Sequence, residues 1–295
     1  MSKPFKIGLI QMKMGDDIEA NLAHACDMLA EAAKMGVQVA CLPELFRSRY
    51  FCQSEDYNIF DLAEEIPGKT TQTLAEIAKK HQMVIIASLF ERRVAGIYHN
   101  TTAVLDADGE FKGIYRKMHI PDDPLYYEKY YFTPGDLGFK VFNTTFGKLG
   151  QLVCWDQWYP EAARLTAMQD AEVIFYPTAI GWHPAEKDDF GKAQAEAWET
   201  IQRGHAIANG VYVAACNRIG FEPTPENKGG GIEFFGNSFI SDPFGRIIAK
   251  ASSDKEEIIT AICDPKLQEY TRRNWPFFRD RRIDAYGAIT ERFGK

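Results

Sequence analysis

A cysteine follows one short apolar run, at a place where its thiol could act as a nucleophile. Residues 148–153 predict a strand, and Pro160 predicts the start of a helix shortly after Cys154, because a proline in the first helical turn loses no hydrogen bond. A side chain on such a strand-to-helix turn is exposed, and backbone N–H groups point at the group that it attacks. The alternative is a buried cysteine that packs as a small apolar side chain.

Because a free thiol is largely protonated at neutral pH, Cys154 needs a base. The best candidate is Glu44, which ends an apolar strand in the segment Ala40–Phe46, where its neighbours partly remove the carboxylate from water. A helix cap or an ion pair is the alternative role for this glutamate. A histidine base of the papain type remains possible only from predicted loops, which contain His119 and His183.

A cation completes the pattern, since Lys117 comes just after another predicted strand. Its ammonium could stabilise the negative charge of a tetrahedral intermediate, together with the backbone N–H of Trp155. A single lysine in such a place is more often a surface charge. Three separate segments therefore each offer one polar residue at the end of a strand, namely Glu44, Lys117 and Cys154.

Apolar strands and helices alternate along the chain and must position these residues. Helical spacing predicts helices over 18–34, 70–81, 161–168 and 192–209, with apolar strands between them. Turn sequences at 106–109 and 242–245 predict two hairpins, and the stretch from Gly220 to Glu233 reads as a loop. This alternation predicts an α/β fold of sheets covered by helices on one face, and its recurrence predicts two similar halves.

Composition and length favour one soluble domain. No Gly/Ser-rich or Pro-rich linker divides the 295 residues, so we expect a single domain over 1–295 with a polar, arginine-rich tail from about residue 264. A net charge of -7 disfavours nucleic acid or an anionic membrane as the partner. The six cysteines form no CxxC pair, which disfavours a zinc site. The absence of an apolar run of membrane-spanning length or of a signal-peptide pattern predicts a reduced, cytoplasmic protein.

Three ordered motifs resemble the carbon–nitrogen hydrolase (nitrilase) superfamily. The matching pieces are Leu42–Glu44, Tyr115–Pro121 and Cys154–Glu161, and the resemblance extends over about residues 5–285. It implies a four-layer αββα sandwich that pairs through helices into a homodimer or a larger homo-oligomer. It also implies hydrolysis without any metal or organic cofactor.

The resemblance assigns roles to four residues. It implies a catalytic triad of Glu44, Lys117 and Cys154, with Glu128 as a second glutamate that holds Lys117 or orients the attacking water. In this scheme Glu44 takes the Cys154 proton, and the thiolate forms a thioester-type intermediate that water then hydrolyses.

Further segments resemble the branch of the superfamily that converts N-carbamoylputrescine and water to putrescine, ammonia and carbon dioxide, an activity of polyamine biosynthesis. These segments are residues 126–136, 181–186, 202–210 and 215–220. A free ammonium at the far end of such a substrate favours carboxylates or aromatic rings as contacts. The candidates are Trp155, Tyr50, Trp182, Glu186 and Asp122, followed by Trp158, Asp123 and Asp188.

Other functions remain open from the sequence. An amidase for N-carbamoyl-β-alanine or an N-carbamoyl amino acid would need arginines, and Arg203 and Arg218 could serve. A nitrilase that acts on true nitriles would use the same triad. A non-catalytic redox-sensing or adaptor protein could use Cys154 as an oxidisable thiol, but it would need neither Glu44 nor Lys117.

Overall fold

Two β-sheets pack face to face in the computed structural model, which describes residues 3–224 and 230–294. The first sheet consists of β1 (Phe5–Gln11), β2 (Val39–Cys41), β3 (Val84–Val94), β4 (Ile97–Leu105), β5 (Phe111–Arg116) and β15 (Glu257–Cys263). Its order is β15-β1-β2-β3-β4-β5. Strands β1, β2 and β3 run parallel, whereas β4, β5 and β15 pair antiparallel with their neighbours.

The second sheet repeats this plan. It consists of β6 (Lys140–Asn143), β7 (Lys148–Gln151), β8 (Val173–Thr178), β10 (Tyr212–Asn217), β13 (Phe239–Ser241) and β14 (Ile247–Lys250). Its order is β14-β13-β10-β8-β7-β6, with parallel β7, β8 and β10 between antiparallel edges. A smaller sheet joins β9 (Gly181–Trp182), β11 (Ile219–Pro223) and β12 (Gly231–Phe235). The two large sheets thus confirm the expectation of two similar halves.

Helices α1 (Ile18–Lys34) and α2 (Lys69–His81) cover the outer face of the first sheet, and α4 (Pro160–Ala167) and α5 (Lys187–Asn209) cover that of the second. Two shorter helices, α3 (Glu128–Tyr131) and α6 (Pro265–Asn274), lie outside these layers. Short 3-10 helices lie at Phe51–Gln53, Tyr57–Leu62, Cys154–Trp158, Ile283–Ala285 and Gly287–Thr290. Within the two described ranges, no helix has both the length and the apolar composition needed to cross a bilayer.

Alternation along the strands builds the four layers. Ile7 and Leu9 of β1 pack against the opposite sheet, in one buried cluster with Val173 and Phe175 of β8. Ile10 instead packs with the buried faces of α1 and α2. Since successive side chains of a strand point to opposite faces, a strand buried on both faces must be apolar throughout. The result is the αββα sandwich that the resemblance implied.

The expectation of a loop from Gly220 to Glu233 was wrong for most of the described residues in that range. Ile219–Pro223 pairs antiparallel with Gly231–Phe235, so the segment is a hairpin whose residues 225–229 lie outside the described part of the chain. Glycines and prolines around the turn concealed two short strands, because both residue types are depleted in strands. Helix α5 also begins at Lys187, five residues before the predicted start at 192.

Candidate active site

The ends of three strands converge at one end of the sandwich and bring the predicted residues together. Glu44 follows β2, Lys117 directly follows β5, and Cys154 follows β7 in the opposite sheet. The backbone N–H of Glu44 donates at 3.4 Å to the carbonyl of Thr178, the last residue of β8, so the carboxyl ends of the parallel strands of both sheets lie on the same side. Face-to-face packing of the sheets places a carboxylate and a cation from one half beside a thiol from the other.

Cys154 lies on the strand-to-helix turn that the sequence predicted. It begins the 3-10 helix Cys154–Trp158, and α4 starts at Pro160. The backbone of Cys154 has a positive φ of 40°, a conformation that costs energy for any residue with a Cβ and clusters at functional sites. Cys154 is only 5% exposed, so the exposure expected of a side chain on this turn was wrong, and its Sγ lies 4.0 Å from the carbonyl oxygen of Ala179.

Lys117 bridges two glutamates in a fully buried cluster. Its Nζ lies 2.8 Å from Oε1 of Glu44 and 2.6 Å from Oε2 of Glu128. None of the three side chains is more than 1% exposed. Burial of charged groups requires close pairing, and here one ammonium compensates two carboxylates. Glu128 begins α3, a single helical turn between β5 and β6.

Further polar side chains fix the two carboxylates. Asn100 donates to Oε1 of Glu44 at 2.7 Å, and Ser88 donates to the amide oxygen of Asn100 at 3.1 Å. The hydroxyl of Tyr50 donates to Oε1 of Glu128 at 2.7 Å. Among the described residues, Oε2 of Glu44 is buried without a hydrogen-bond partner. That oxygen is free to accept a proton or a donor from a bound molecule.

Electrostatics keep the thiol neutral and the lysine charged. Burial raises the pKa of Cys154 well above its ordinary range, and the charge of Glu44 adds to this although Lys117 opposes it. Burial alone would lower the pKa of Lys117, but Glu128 and Glu44 outweigh it, so that this pKa is raised well above normal. Burial also raises the pKa of Glu128 to about 7, against the opposing effect of Lys117.

Asp156 joins the cysteine segment to the lysine segment. Its carboxylate accepts the backbone N–H of Val153 at 2.9 Å and that of His119 at 3.0 Å. It also accepts the Tyr115 hydroxyl at 2.7 Å, and its Oδ1 lies 2.7 Å from Nδ1 of His119. Tyr115 and His119 flank Lys117 in sequence, so this one buried carboxylate ties both segments together.

A cavity of about 680 Å³ opens beside Cys154. Trp155, Glu186, Asp123, Trp158 and Glu128 are among its lining residues. Tyr126, His183, Gln194 and Phe235 also line it. Glu128 is already paired with Lys117, so the carboxylates of Asp123 and Glu186 are the ones that a bound cation can contact.

The other proposed substrate contacts lie elsewhere. Tyr50 is buried behind Glu128, to which it donates. Trp182 borders a neighbouring groove, where its Nε1 donates to the carbonyl of Gly191. Asp122 and its neighbour Asp123 are both exposed, but among the described residues only Asp123 lines the cavity.

Neither arginine considered for a carboxylate substrate lines the cavity. Arg203 donates to the carbonyl of Gly245, and Arg218 is buried against the loop that follows Glu44. The sequence also gave no role to Asn100 or Asp156. A polar residue within a strand-like run, as at Asn100, and an acid two residues after the nucleophile, as at Asp156, are the signals that could have found them.

The chain belongs to the carbon–nitrogen hydrolase family, whose model matches residues 6–273. It is therefore a hydrolase of carbon–nitrogen bonds, built on the fold and strand-end site described above.

Two named relatives and one solved structure are similar to this chain over nearly its whole length. N-carbamoylputrescine amidase of Arabidopsis thaliana is 44% identical over 287 residues, which cover 96% of this chain and 94% of the relative. Citrullinase of Francisella tularensis is 40% identical and covers 98% of this chain and 99% of its own. The crystal structure of a carbon-nitrogen hydrolase from Helicobacter pylori G27 superposes with a TM-score of 0.96 at 47% identity, covering 99% and 100% of the two chains.

Proposed function

We propose that this protein hydrolyses N-carbamoylputrescine to putrescine, ammonia and carbon dioxide. The observation that carries the proposal is the charge of the cavity beside Cys154. Asp123 and Glu186 line it, and within residues 3–224 and 230–294 no lysine or arginine does so. A substrate that ends in an ammonium fits such a lining, whereas the carboxylate of citrulline or of an N-carbamoyl amino acid would have no cation to meet.

Attack starts from the neutral thiol. Because burial keeps the proton on Cys154, a base must remove it as the sulfur approaches the carbamoyl carbon. Glu44 is the proposed base, since its Oε1 is held by Lys117 and Asn100 while Oε2 is unpartnered among the described residues. Transfer of the proton to Oε2 leaves the two existing hydrogen bonds in place.

Lys117 is the proposed oxyanion donor. Its ammonium has three N–H bonds, of which Glu44 and Glu128 take two. The third can point at the oxygen of the tetrahedral intermediate. The N–H of Trp155 lies in the first turn of the 3-10 helix, where N–H groups have no partner within the helix. Together they form a two-donor oxyanion hole.

Collapse of the intermediate breaks the carbon–nitrogen bond. Glu44 returns its proton to the terminal NH2 nitrogen of the carbamoyl group, which departs as ammonia, and the N-alkylcarbamoyl group remains on Cys154 as a thiocarbamate. Water then attacks with Glu44 as the base, and the carbamic acid released decomposes to carbon dioxide and amine. Glu128, which holds Lys117 at 2.6 Å, keeps the ammonium in place through both halves of the reaction.

The proposal also covers the domain organisation, the cellular location, the pathway and the assembly of the enzyme. We infer a single domain over residues 1–295, a cytoplasmic location, a role in polyamine biosynthesis and assembly into homo-oligomers. Large apolar side chains exposed on the described surface support the assembly, among them Phe190 at 59%, Ile289 at 63% and Phe293 at 87%. Burial of such side chains against a second copy would remove them from water.

Steady-state rates on three carbamoyl compounds test the substrate. We expect turnover of N-carbamoylputrescine, with kcat/KM at least about tenfold lower for citrulline and N-carbamoyl-β-alanine, because their carboxylates would meet Asp123 and Glu186 instead of a cation, and a tenfold change corresponds to roughly 1.4 kcal/mol. Faster hydrolysis of either amino acid would refute the assignment. Cys154→Ser should show no turnover of any of them.

A charge-neutral substitution tests the ammonium contact. Glu186→Gln should raise KM for N-carbamoylputrescine about tenfold, because it removes one of the three carboxylates that line the cavity, of which Glu128 is already paired with Lys117. Glu196→Gln is the matched control, since Glu196 lies in α5, the helix that begins directly after Glu186, but pairs with Lys192 outside this cavity. An equal KM for both variants would exclude Glu186 as the contact.

A further inference from the structure

Arg218 is a fully buried arginine that contacts the backbone of Glu44, the proposed base. Its Nη2 donates to the carbonyl oxygen of Glu44 at 2.6 Å and to that of Leu45 at 3.1 Å. Its Nη1 donates to the carbonyl oxygen of Ser48 at 3.2 Å. The residue is 0% exposed, so its guanidinium binds groups within the protein rather than a ligand.

The backbone that Arg218 holds is in an uncommon conformation. Leu45 has a φ of 51°, in the left-handed region that residues other than glycine rarely adopt. Such a conformation persists only where its surroundings fix it. The two carbonyls that flank this turn are those of Glu44 and Leu45, and the planar guanidinium binds both. The direction in which the Glu44 side chain leaves the backbone therefore depends on Arg218.

A second chain of contacts runs from Arg218 to Glu128, the other carboxylate of the site. Its Nη1 lies 2.8 Å from Oε1 of Glu222 in β11, the strand that begins directly after Arg218. Oε2 of Glu222 accepts the backbone N–H of Tyr50 at 2.5 Å, and the Tyr50 hydroxyl donates to Glu128 at 2.7 Å. The guanidinium also lies over the Tyr50 ring, 5.8 Å from its centroid.

We propose that the Arg218–Glu222 pair is a positioning device that sets both active-site carboxylates, Glu44 through its backbone and Glu128 through Tyr50. The inference rests on the proposed roles of Glu44 and Glu128 in catalysis. It assigns the hairpin of β11 and β12 a part in the reaction, although neither member of the pair lines the cavity beside Cys154 among the described residues. A lysine could keep the charge but not the planar fork that binds several acceptors at once.

Arg218→Lys tests the proposal, with Arg203→Lys as the matched control because Arg203 donates to Gly245 and Glu199 instead. We expect kcat on N-carbamoylputrescine to fall about ten- to hundredfold in Arg218→Lys, since small misplacements of catalytic groups have effects of this size. KM should stay within roughly twofold, because the cavity lining is unchanged. Arg203→Lys should match the wild type in both constants.

A second readout is independent of the substrate. The rate at which iodoacetamide alkylates Cys154, measured by site-resolved mass spectrometry across pH, reports how well the base assists the thiol. We expect its pH profile to shift in Arg218→Lys and not in Arg203→Lys. A lower melting temperature with unchanged kcat and unchanged profile would show that Arg218 is only structural and would overturn the proposal.

Tyr50→Phe covers the case in which Arg218→Lys does not fold. It removes one hydroxyl and keeps the ring, and we expect lower kcat with a shifted acid limb of the pH–rate profile, because Glu128 loses a hydrogen bond that favours its charged form. Wild-type kcat and profile in Tyr50→Phe would overturn the Glu128 part. If the wild type itself does not hydrolyse N-carbamoylputrescine, the proposed function fails, whereas the alkylation profiles still decide the positioning role.

Discussion

Removal of Lys117 should destabilise the protein in a way that depends on pH. Its ammonium is the partner of both Glu44 and Glu128, at 2.8 and 2.6 Å, and all three side chains are buried. Lys117→Met keeps much of the apolar stem but leaves two carboxylates without their cation. Breaking a buried pair by deletion of one partner costs roughly 3–5 kcal/mol, so we expect a loss of this size in the free energy of unfolding at pH 8.

The loss should shrink at lower pH. Burial already raises the pKa of Glu128 to about 7 while Lys117 opposes the rise, so the pKa is higher still in the variant. In the folded variant Glu128 then keeps its proton at pH values where the same glutamate in the unfolded chain, with its ordinary pKa of 4.5, has released it. Raising the pH therefore favours unfolding. Since one proton is worth about 1.4 kcal/mol per pH unit, the deficit at pH 5.5 should be at least ~1 kcal/mol smaller than at pH 8.

Urea unfolding followed by far-UV circular dichroism at pH 5.5 and pH 8 measures both quantities. Lys187→Met is the control, because Lys187 pairs with Glu233 where both side chains are more than a third exposed. Exposed pairs contribute about 0–1 kcal/mol, so this control should change little at either pH. A deficit below about 1 kcal/mol for Lys117→Met at pH 8, or one that grows at pH 5.5, would refute the reasoning.

Two further predictions concern the backbone around the site. Asp156→Asn replaces a carboxylate that accepts several hydrogen bonds by an amide that must itself donate. It should lower the free energy of unfolding by roughly 2 kcal/mol or more and also lower kcat, as measured by urea unfolding and by hydrolysis rates. Wild-type values of both would show that the carboxylate is dispensable. Gly135→Ala would drive a Cβ into the carbonyl of Arg116, next to Lys117, and should lose about 1–3 kcal/mol and part of the activity. Gly204→Ala is its control, because a Cβ there meets open space; equal stability of both alanine variants would contradict the packing argument.

Local patterns predicted much of the fold, because they follow from periodicity and turn chemistry. Helix α1 begins and ends where the spacing placed it, at Ile18 and Lys34. The hairpin between β4 and β5 turns at residues 106–109 as expected. The β11–β12 hairpin was missed, because Gly231 and Pro223 at its strand ends are typical of loops and the pairing that forms it is not visible in either strand alone.

For the site, the sequence by itself determined the residue types, their order and their places at strand ends. Cys154, Glu44 and Lys117 were identified in this way, and the structure brings Glu44 and Lys117 into direct contact beside Cys154. The sequence could not rank the acids for a substrate ammonium, since nothing in a chain of residues shows which carboxylates line a cavity. Asp122 and Asp123 are neighbours and both are exposed, yet among the described residues only Asp123 lines the cavity, which depends on how the loop packs.

Only the tertiary structure decided the role of Arg218. In sequence it was a candidate for binding a carboxylate substrate, because an arginine carries the same charge wherever it lies. In the folded chain it is 174 residues from Glu44 and yet donates to its carbonyl oxygen. A long-range contact of this kind depends on how two sheets pack against each other, and no local pattern of residues records that packing.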